Sequence, residues 1–227
     1  MLTIITILLI LTAPPAKAGG SSQPHDHRRR RLKTEANRKE HHMNPTPPTA
    51  IEPRAWIGCL TCHNHGDIVG DWYAATEAAD VTIAGVHTGH DVNHRIRGCD
   101  ELWVFDHEHI PVRGEMDPLR AAEWGARITE VPAEQRAAFI AWARTDDRVL
   151  DAENLPSISA FNERYRGTWE TFRDYAEHLV EKLGVLDGVS DEARRYFDYD
   201  AYAHDISYDY TTIACDDGDS IHIFRDL

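Results

Sequence analysis

Three kinds of hydrophobic pattern succeed one another along the chain. Short apolar or alternating runs predict strands over 55–60 and 101–107. In the second run Leu102, Val104 and Asp106 alternate with Trp103, Phe105 and His107. Between the two, Asn64-His65-Gly66 forms a turn, and 68–73 is extended or the entry to the next element. The stretch 74–98 has weak periodicity, with 80–86 a short helix or a strand. Past Asp117 the period changes from two to 3.6. PLRAAEWGARI and PAEQRAAFIAWAR predict two helices, each opened by a proline at the first helical position, Pro118 and Pro132. Leu119, Ala122, Trp124 and Ile128 form the inner face of the first, and Ala137, Phe139, Ile140 and Trp142 that of the second. Residues 151–159 form a linker. Near the end, TTIAC and IHIF are strands flanking Asp216-Asp217-Gly218-Asp219, a hairpin turn with Asp-Gly at its centre.

The longest amphipathic run lies between these blocks. Trp169, Phe172, Ala176, Leu179, Val180 and Leu183 recur at helical spacing, with Thr168 at the N-cap and Gly184 just past the C-terminus. Its other face carries Glu170, Asp174, Glu177 and Glu181, spaced to line four carboxylates along one ridge at roughly 6 Å per four-residue step. Like charges at this spacing cost a few tenths of a kcal/mol per pair. Asp187, Asp191, Glu192, Asp198, Asp200, Asp205 and Asp209 continue the acid past the helix. A solvated face explains any one of these groups; it does not explain a sustained array answered by few cations.

Charge extends that picture to the whole body. The chain carries 24 basic and 38 acidic residues, a net −14. Residues 1–42 are basic, so residues 43–227 hold 16 basic against 35 acidic side chains, net −19. By segment the net charge is −6 over 43–114, −4 over 115–160 and −9 over 161–227. Such a surface repels nucleic acid and membranes and favours a basic partner. With 42% hydrophobic residues and six tryptophans, it belongs to a folded body and not to a disordered acidic tail.

The first 18 residues are signal-like: an apolar run, Pro14-Pro15, then Ala16-Lys17-Ala18, with no Lys or Arg before the run. A basic, His-rich stretch without apolar period follows to residue 42, then a Pro-rich lead over 43–53. The expectation is a functional start near Met43, residues 1–42 being an upstream extension of the reading frame, and a cytoplasmic protein. A true signal peptide is the alternative.

Candidate chemistry is sparse. Cys59-x-x-Cys62-His63-x-His65 can begin a zinc site, but no second pair follows, Cys99 and Cys215 stand alone, and Cys59 suits a buried strand. His90 and His94 have a ligand spacing in a stretch with little helical character. The Asp216 turn lacks the spaced ligands of a calcium loop. No phosphate loop, dinucleotide fingerprint or nucleophile elbow is present. These observations point to a binding protein without cofactor or resident metal and not to an enzyme. The alternative is a secreted acidic metal-binding protein or hydrolase built on the CxxCHxH cluster.

Three blocks in order carry a resemblance: RAWIGCLTCHNHGDIVGDWYAA, DELWVFDHEHIP, and WETFRDYAEHLVEKLGVLDGVSDEARRYFDYDAYAHDI with the closing hairpin. From about Arg54 to Phe224 the chain resembles the ArdA antirestriction proteins. The resemblance implies an α+β fold: an elongated, curved acidic rod of three small domains with short antiparallel sheets and helices. The domains would fall at 54–114, 115–160 (more helical) and 161–227. It implies a homodimeric DNA mimic, carried on mobile elements and phages or resident in chromosomes, that occupies the DNA-binding groove of type I restriction–modification enzymes. The stretch LVEKLGVLDGVSDEARRYFD matches the family's antirestriction motif, making Leu183, Val185 and Leu186 candidates for the dimer contact. The modestly acidic middle segment and the His-rich HNH and HEH stretches depart from the family pattern.

Overall fold

The computed structural model describes residues 51–227. The expectations for residues 1–42, and for 43–50 of the Pro-rich lead, lie outside the described residues. The first short apolar run folds as β1 (Arg54–Cys59), with Ala55, Ile57 and Cys59 all buried. A one-turn helix, α1 (Leu60–Asn64), follows at once and returns the chain to β2 (Gly70–Ala74). A 3₁₀ segment (Ala75–Asp80) leads to two further one-turn helices, α2 (Ile83–Val86) and α3 (His94–Arg97). The ambiguous stretch around residue 83 is therefore helical, capped by the Thr82 hydroxyl. β3 (Leu102–Glu108) completes an antiparallel sheet of order β2-β1-β3. Gly58 and Gly70 pair across it beneath the Trp56 ring, where a Cβ on either would come within 2.6 Å of that ring.

α4 (Pro118–Glu130) starts as its sequence predicts, with Asp117 as N-cap and Pro118 in the first turn. Its inner face is Ala121, Trp124, Gly125 and Ile128, and Leu119 is 61% exposed. The inner stripe thus lies two residues on from Leu119. Gly125 decides this, because α4 rests on the 3₁₀ segment there: a Cβ would meet the Thr76 nitrogen at 2.6 Å and the Ala75 carbonyl carbon at 2.7 Å. Pro132 opens a 3₁₀ turn (Ala133–Gln135) and not the helix itself, so α5 (Arg136–Ala143) begins four residues later and Ala137 faces solvent. Proline's fixed φ suits either kind of first turn.

The connection over 151–159 is held down along its length. Arg127 bonds the carboxylates of Asp151 and Glu153 and the Pro156 carbonyl, and Leu155 and Pro156 are buried. α6 (Ile158–Arg164) runs directly into β4 (Tyr165–Trp169). The long acidic helix follows as α7 (Phe172–Leu183), then α8 (Asp191–Arg194) and α9 (Tyr199–Ser207). β5 (Tyr210–Ala214) and β6 (Ile221–Arg225) form the expected hairpin, with Gly218 at φ +77° in its turn. The second sheet has order β4-β6-β5.

α7 thus starts three residues later than expected. Thr168 and Trp169 belong to β4, and the Thr168 hydroxyl meets His222 Nδ1 at 2.8 Å. Thr171 is the true N-cap, in a reciprocal capping box with Asp174. The C-terminal signal holds: Gly184 is left-handed, φ +64°.

The described residues belong to one unit by their contacts. A continuous core joins the first sheet, α4, α5 and α6, and ends on Phe224. Phe161 stands edge-on to Phe139 at 5.3 Å, stacks on Tyr165 at 5.0 Å and lies 6.0 Å from Phe224. Ile223, the next residue along the pleat, is buried on the opposite face of the second sheet. α7 and α9 pack together against that sheet and bury Tyr175, Ala176, Val180 and Ala203. The architecture of helices with two small antiparallel sheets is α+β, as the sequence leads one to expect.

Candidate functional site

The acidic array falls on α7, α8, α9 and the turns around them. Ten of its eleven expected members are exposed and Glu177 is half-buried. They are not equivalent. Asp174 accepts from the Thr171 amide at 2.9 Å and hydroxyl at 2.6 Å, and so serves the helix start. Asp198 caps α9 by accepting the Ala201 amide at 2.9 Å. Arg173, which the charge pattern overlooks, bonds Glu177 at 2.8 Å and also reaches Asp200 on α9. Glu170 precedes the N-cap, so the four-membered ridge on one helix reduces to Asp174, Glu177 and Glu181, with Glu170 on the turn before them.

Position along each helix sorts the remainder. Asp191 and Glu192 lie in the first turn of α8, where negative charge meets the positive end of the helix dipole. Glu181 and Asp205 lie in the last turns of α7 and α9, where the same charge is unfavourable. Asp187 and Asp209 stand in the turns just beyond those helix ends. Among the described residues no ion pair neutralises Glu170, Glu181, Asp187, Asp191, Glu192, Asp205 or Asp209. Glu181, Asp187, Asp205 and Asp209 make no side-chain ion pair or hydrogen bond among the described residues, and they mark the part of the array that capping and pairing do not explain.

The apolar step beside this surface is exposed. Leu183 is 64% and Val185 41% accessible, on either side of Gly184, and Leu186 is half-buried. The Val185 amide bonds the Val180 carbonyl at 3.0 Å, which fixes how the step projects from the end of α7.

The first sheet carries a second grouping. Cys59, Cys62, Cys99 and His87 bring one ligand-type atom each to within 4.8 Å of one another. Cys99, which stands alone in the sequence, therefore does not stand alone in the fold. The two histidines of the CxxCHxH pattern go elsewhere: His63 stacks on Phe105 at 4.3 Å, and His65 Nδ1 lies 2.6 Å from the Thr61 carbonyl. Burial, helped by Cys59 and Cys62, pushes the Cys99 thiol up to about 12. Burial likewise raises Cys62. Three adjacent thiolates in this setting need a cation to offset their desolvation and mutual repulsion. Cys215 lies apart from this group, 3.4 Å from His222 Nε2, and its thiol too is raised by burial.

A family model described as antirestriction protein (ArdA) matches residues 55–219. The chain belongs to the ArdA family. No individually curated protein matches the sequence. The matched range takes in both the acidic array and the apolar step, and ends in the hairpin turn before β6. For this ArdA protein the general function is antirestriction, and its expected partners are restriction enzymes.

Proposed function

We propose that this ArdA protein inhibits type I restriction–modification enzymes by presenting carboxylates to the groove that otherwise holds duplex DNA, without catalysis. The observation that carries the reading is the set of exposed acids at Glu181, Asp187, Asp205 and Asp209, which have no ion-pair partner among the described residues. Duplex DNA offers about one negative charge per 1.7 Å of axis over both strands. A groove built for that field attracts a fixed carboxylate array at long range, with acids outnumbering the exposed Lys182, Arg194 and Arg195 on the same elements. Attraction of this kind raises association rates and weakens with salt.

One chain carries its densest acid over 161–227, net −9, and less over 115–160, net −4. A second copy would extend the array. Leu183 and Val185 supply an exposed apolar step for that copy to cover, consistent with the family's dimer contact. The homodimer is part of the proposal. Cytoplasmic action follows from the same partner.

The test is an inhibition assay with purified protein and a type I restriction enzyme cutting unmodified DNA. Inhibition at near-stoichiometric protein that fades as salt rises supports the reading. Full cleavage in the presence of excess protein, across several such enzymes, contradicts it.

A further inference from the structure

We propose that Cys59, Cys62, His87 and Cys99 bind one zinc ion in a closed, structural site. The proposal is independent of the antirestriction reading. Its basis is the geometry of four groups drawn from four elements. Cys59 ends β1, Cys62 lies on α1, His87 follows α2, and Cys99 lies between α3 and β3.

The two distances from Cys62 Sγ match those of a tetrahedral site, and all four ligand atoms lie within 4.8 Å of one another. Zinc bonds of about 2.3 Å to sulfur and 2.0–2.1 Å to nitrogen set S···S near ~3.8 Å and S···N near ~3.6 Å at tetrahedral angles. Cys62 Sγ lies 3.7 Å from Cys99 Sγ and 3.4 Å from His87 Nε2. Cys59, Cys62 and His87 are buried and Cys99 is half-buried, so the space between the sulfurs is not open to water.

The tautomer of His87 follows from its other contact. Its Nδ1 lies 2.7 Å from the Ile83 carbonyl oxygen, which can only accept, so Nδ1 carries the proton. Nε2 is then left with a lone pair, and that lone pair faces the sulfurs. A carbonyl holding the far nitrogen of a ligating histidine is the usual outer-shell arrangement. The Cys62 amide lies 3.4 Å from Cys59 Sγ and donates to it, as a thiolate there would require. Three thiolates around Zn²⁺ leave a net charge of −1, and the Arg97 guanidinium, paired with Asp67, lies beside Cys62.

Local stability points the same way. From Val81 to Asp100 only Val86 and His87 are buried, and Ile96 is 86% exposed. A stretch with so little apolar anchoring gains order from a metal that ties two of its residues to β1 and α1. Four protein ligands leave no position for water or substrate, so the site is structural and not hydrolytic. A soft donor set of three sulfurs and one imidazole selects zinc over oxygen-loving cations. A Cys62–Cys99 disulfide is the competing chemistry; it would leave Cys59 and the His87 lone pair without a partner.

The experiment is metal analysis of the full chain, purified untagged and without chelator under reducing conditions. The expected content is one zinc per chain. It should fall to near zero in Cys62→Ser and Cys99→Ser and stay unchanged in Cys215→Ser, His63→Ala and His65→Ala. Wild-type protein stripped of metal and reloaded with cobalt should show the visible absorption bands of tetrahedral cobalt–thiolate. The cobalt reading needs no variant to fold. Wild-type protein that holds no zinc and takes up neither zinc nor cobalt when reduced overturns the proposal. So does an intact mass showing two hydrogens lost to a native disulfide, or zinc retained at full content in Cys99→Ser.

Discussion

The guanidinium of Arg173 on α7 bonds the carboxylate of Asp200 on α9. It also holds Glu177 on its own helix at 2.8 Å. Two carboxylates of the array are thereby tied to one cation, and the α7–α9 pair is braced at its exposed edge. Replacing Arg173 with Ala releases both acids. Because the pair is exposed and screened, the expected loss of thermal midpoint is small. The added negative charge should hold or improve inhibition at low salt. Differential scanning fluorimetry and a low-salt inhibition titration read the two effects; weaker inhibition with a normal melt would oppose the mimicry account.

Reversing Glu181, Asp187, Asp205 and Asp209 together to Lys removes the acids that capping and pairing do not explain. Inhibition should fall at least about tenfold, a loss of ~1.4 kcal/mol or more in binding. Far-UV circular dichroism should be unchanged. Thr171→Ala is the control, since it breaks the capping box without changing charge: it should cost about 1 kcal/mol of stability and leave inhibition intact below the melt.

β1, β3, α4 and the closing hairpin were legible because their signals are local, whereas the β2 stretch is open between a strand and the entry to the next element. A short apolar run marks β1 and alternation marks β3, Asp117-Pro118 marks the start of α4, and Asp-Gly marks the hairpin turn. The start of α7 was misplaced because Trp169 satisfies a helical period and an edge strand equally well. Only pairing with Ile221 on β6 decides between them. Arg173 was overlooked for a related reason: its partner Asp200 is 27 residues away. The cysteine–histidine grouping was hidden by distance too. Cys62 and Cys99 are 37 residues apart, and His63 and His65, which spacing favours, are drawn off by Phe105 and the Thr61 carbonyl. The acidic character itself was fully legible, whereas the division of its members into caps, pairs and unpartnered groups needed the helix boundaries.

Gly125 has no room for a side chain where α4 rests on the backbone of Ala75 and Thr76. Gly125→Ala should destabilise the protein by about 1–3 kcal/mol, because the clashing atoms are backbone and cannot swing aside. Urea denaturation followed by tryptophan fluorescence measures this. A change under a few tenths of a kcal/mol would show that α4 shifts freely.

Burial holds His222 below the usual histidine range, despite the opposing pull of Asp216 and Asp217. The unfolded chain therefore binds the proton more readily than the fold does. The contribution of this group is fully present above the unfolded histidine value, near ~6.5, and is lost as pH falls towards the lowered folded value. The thermal midpoint should drop between neutral and mildly acidic pH, and His222→Gln should flatten that slope. An equally steep slope in the variant would assign the effect to other groups.

Leu183, 64% exposed at the end of α7, should matter to association and not to folding. Leu183→Asp is expected to convert a dimer to monomer in light scattering while the melt of the single chain is unchanged. A wild-type protein that is monomeric at all concentrations would remove Leu183, Val185 and Leu186 from a dimer contact.

Competition for the groove tests the central claim most directly. A type I restriction enzyme is pre-bound to a labelled duplex and titrated with this protein at several salt concentrations, with DNA release followed by anisotropy. Mutually exclusive binding, with the protein's affinity falling as salt rises and lost in the Glu181, Asp187, Asp205 and Asp209 reversal, is the predicted result. A ternary complex in which enzyme, duplex and protein stay together would contradict it.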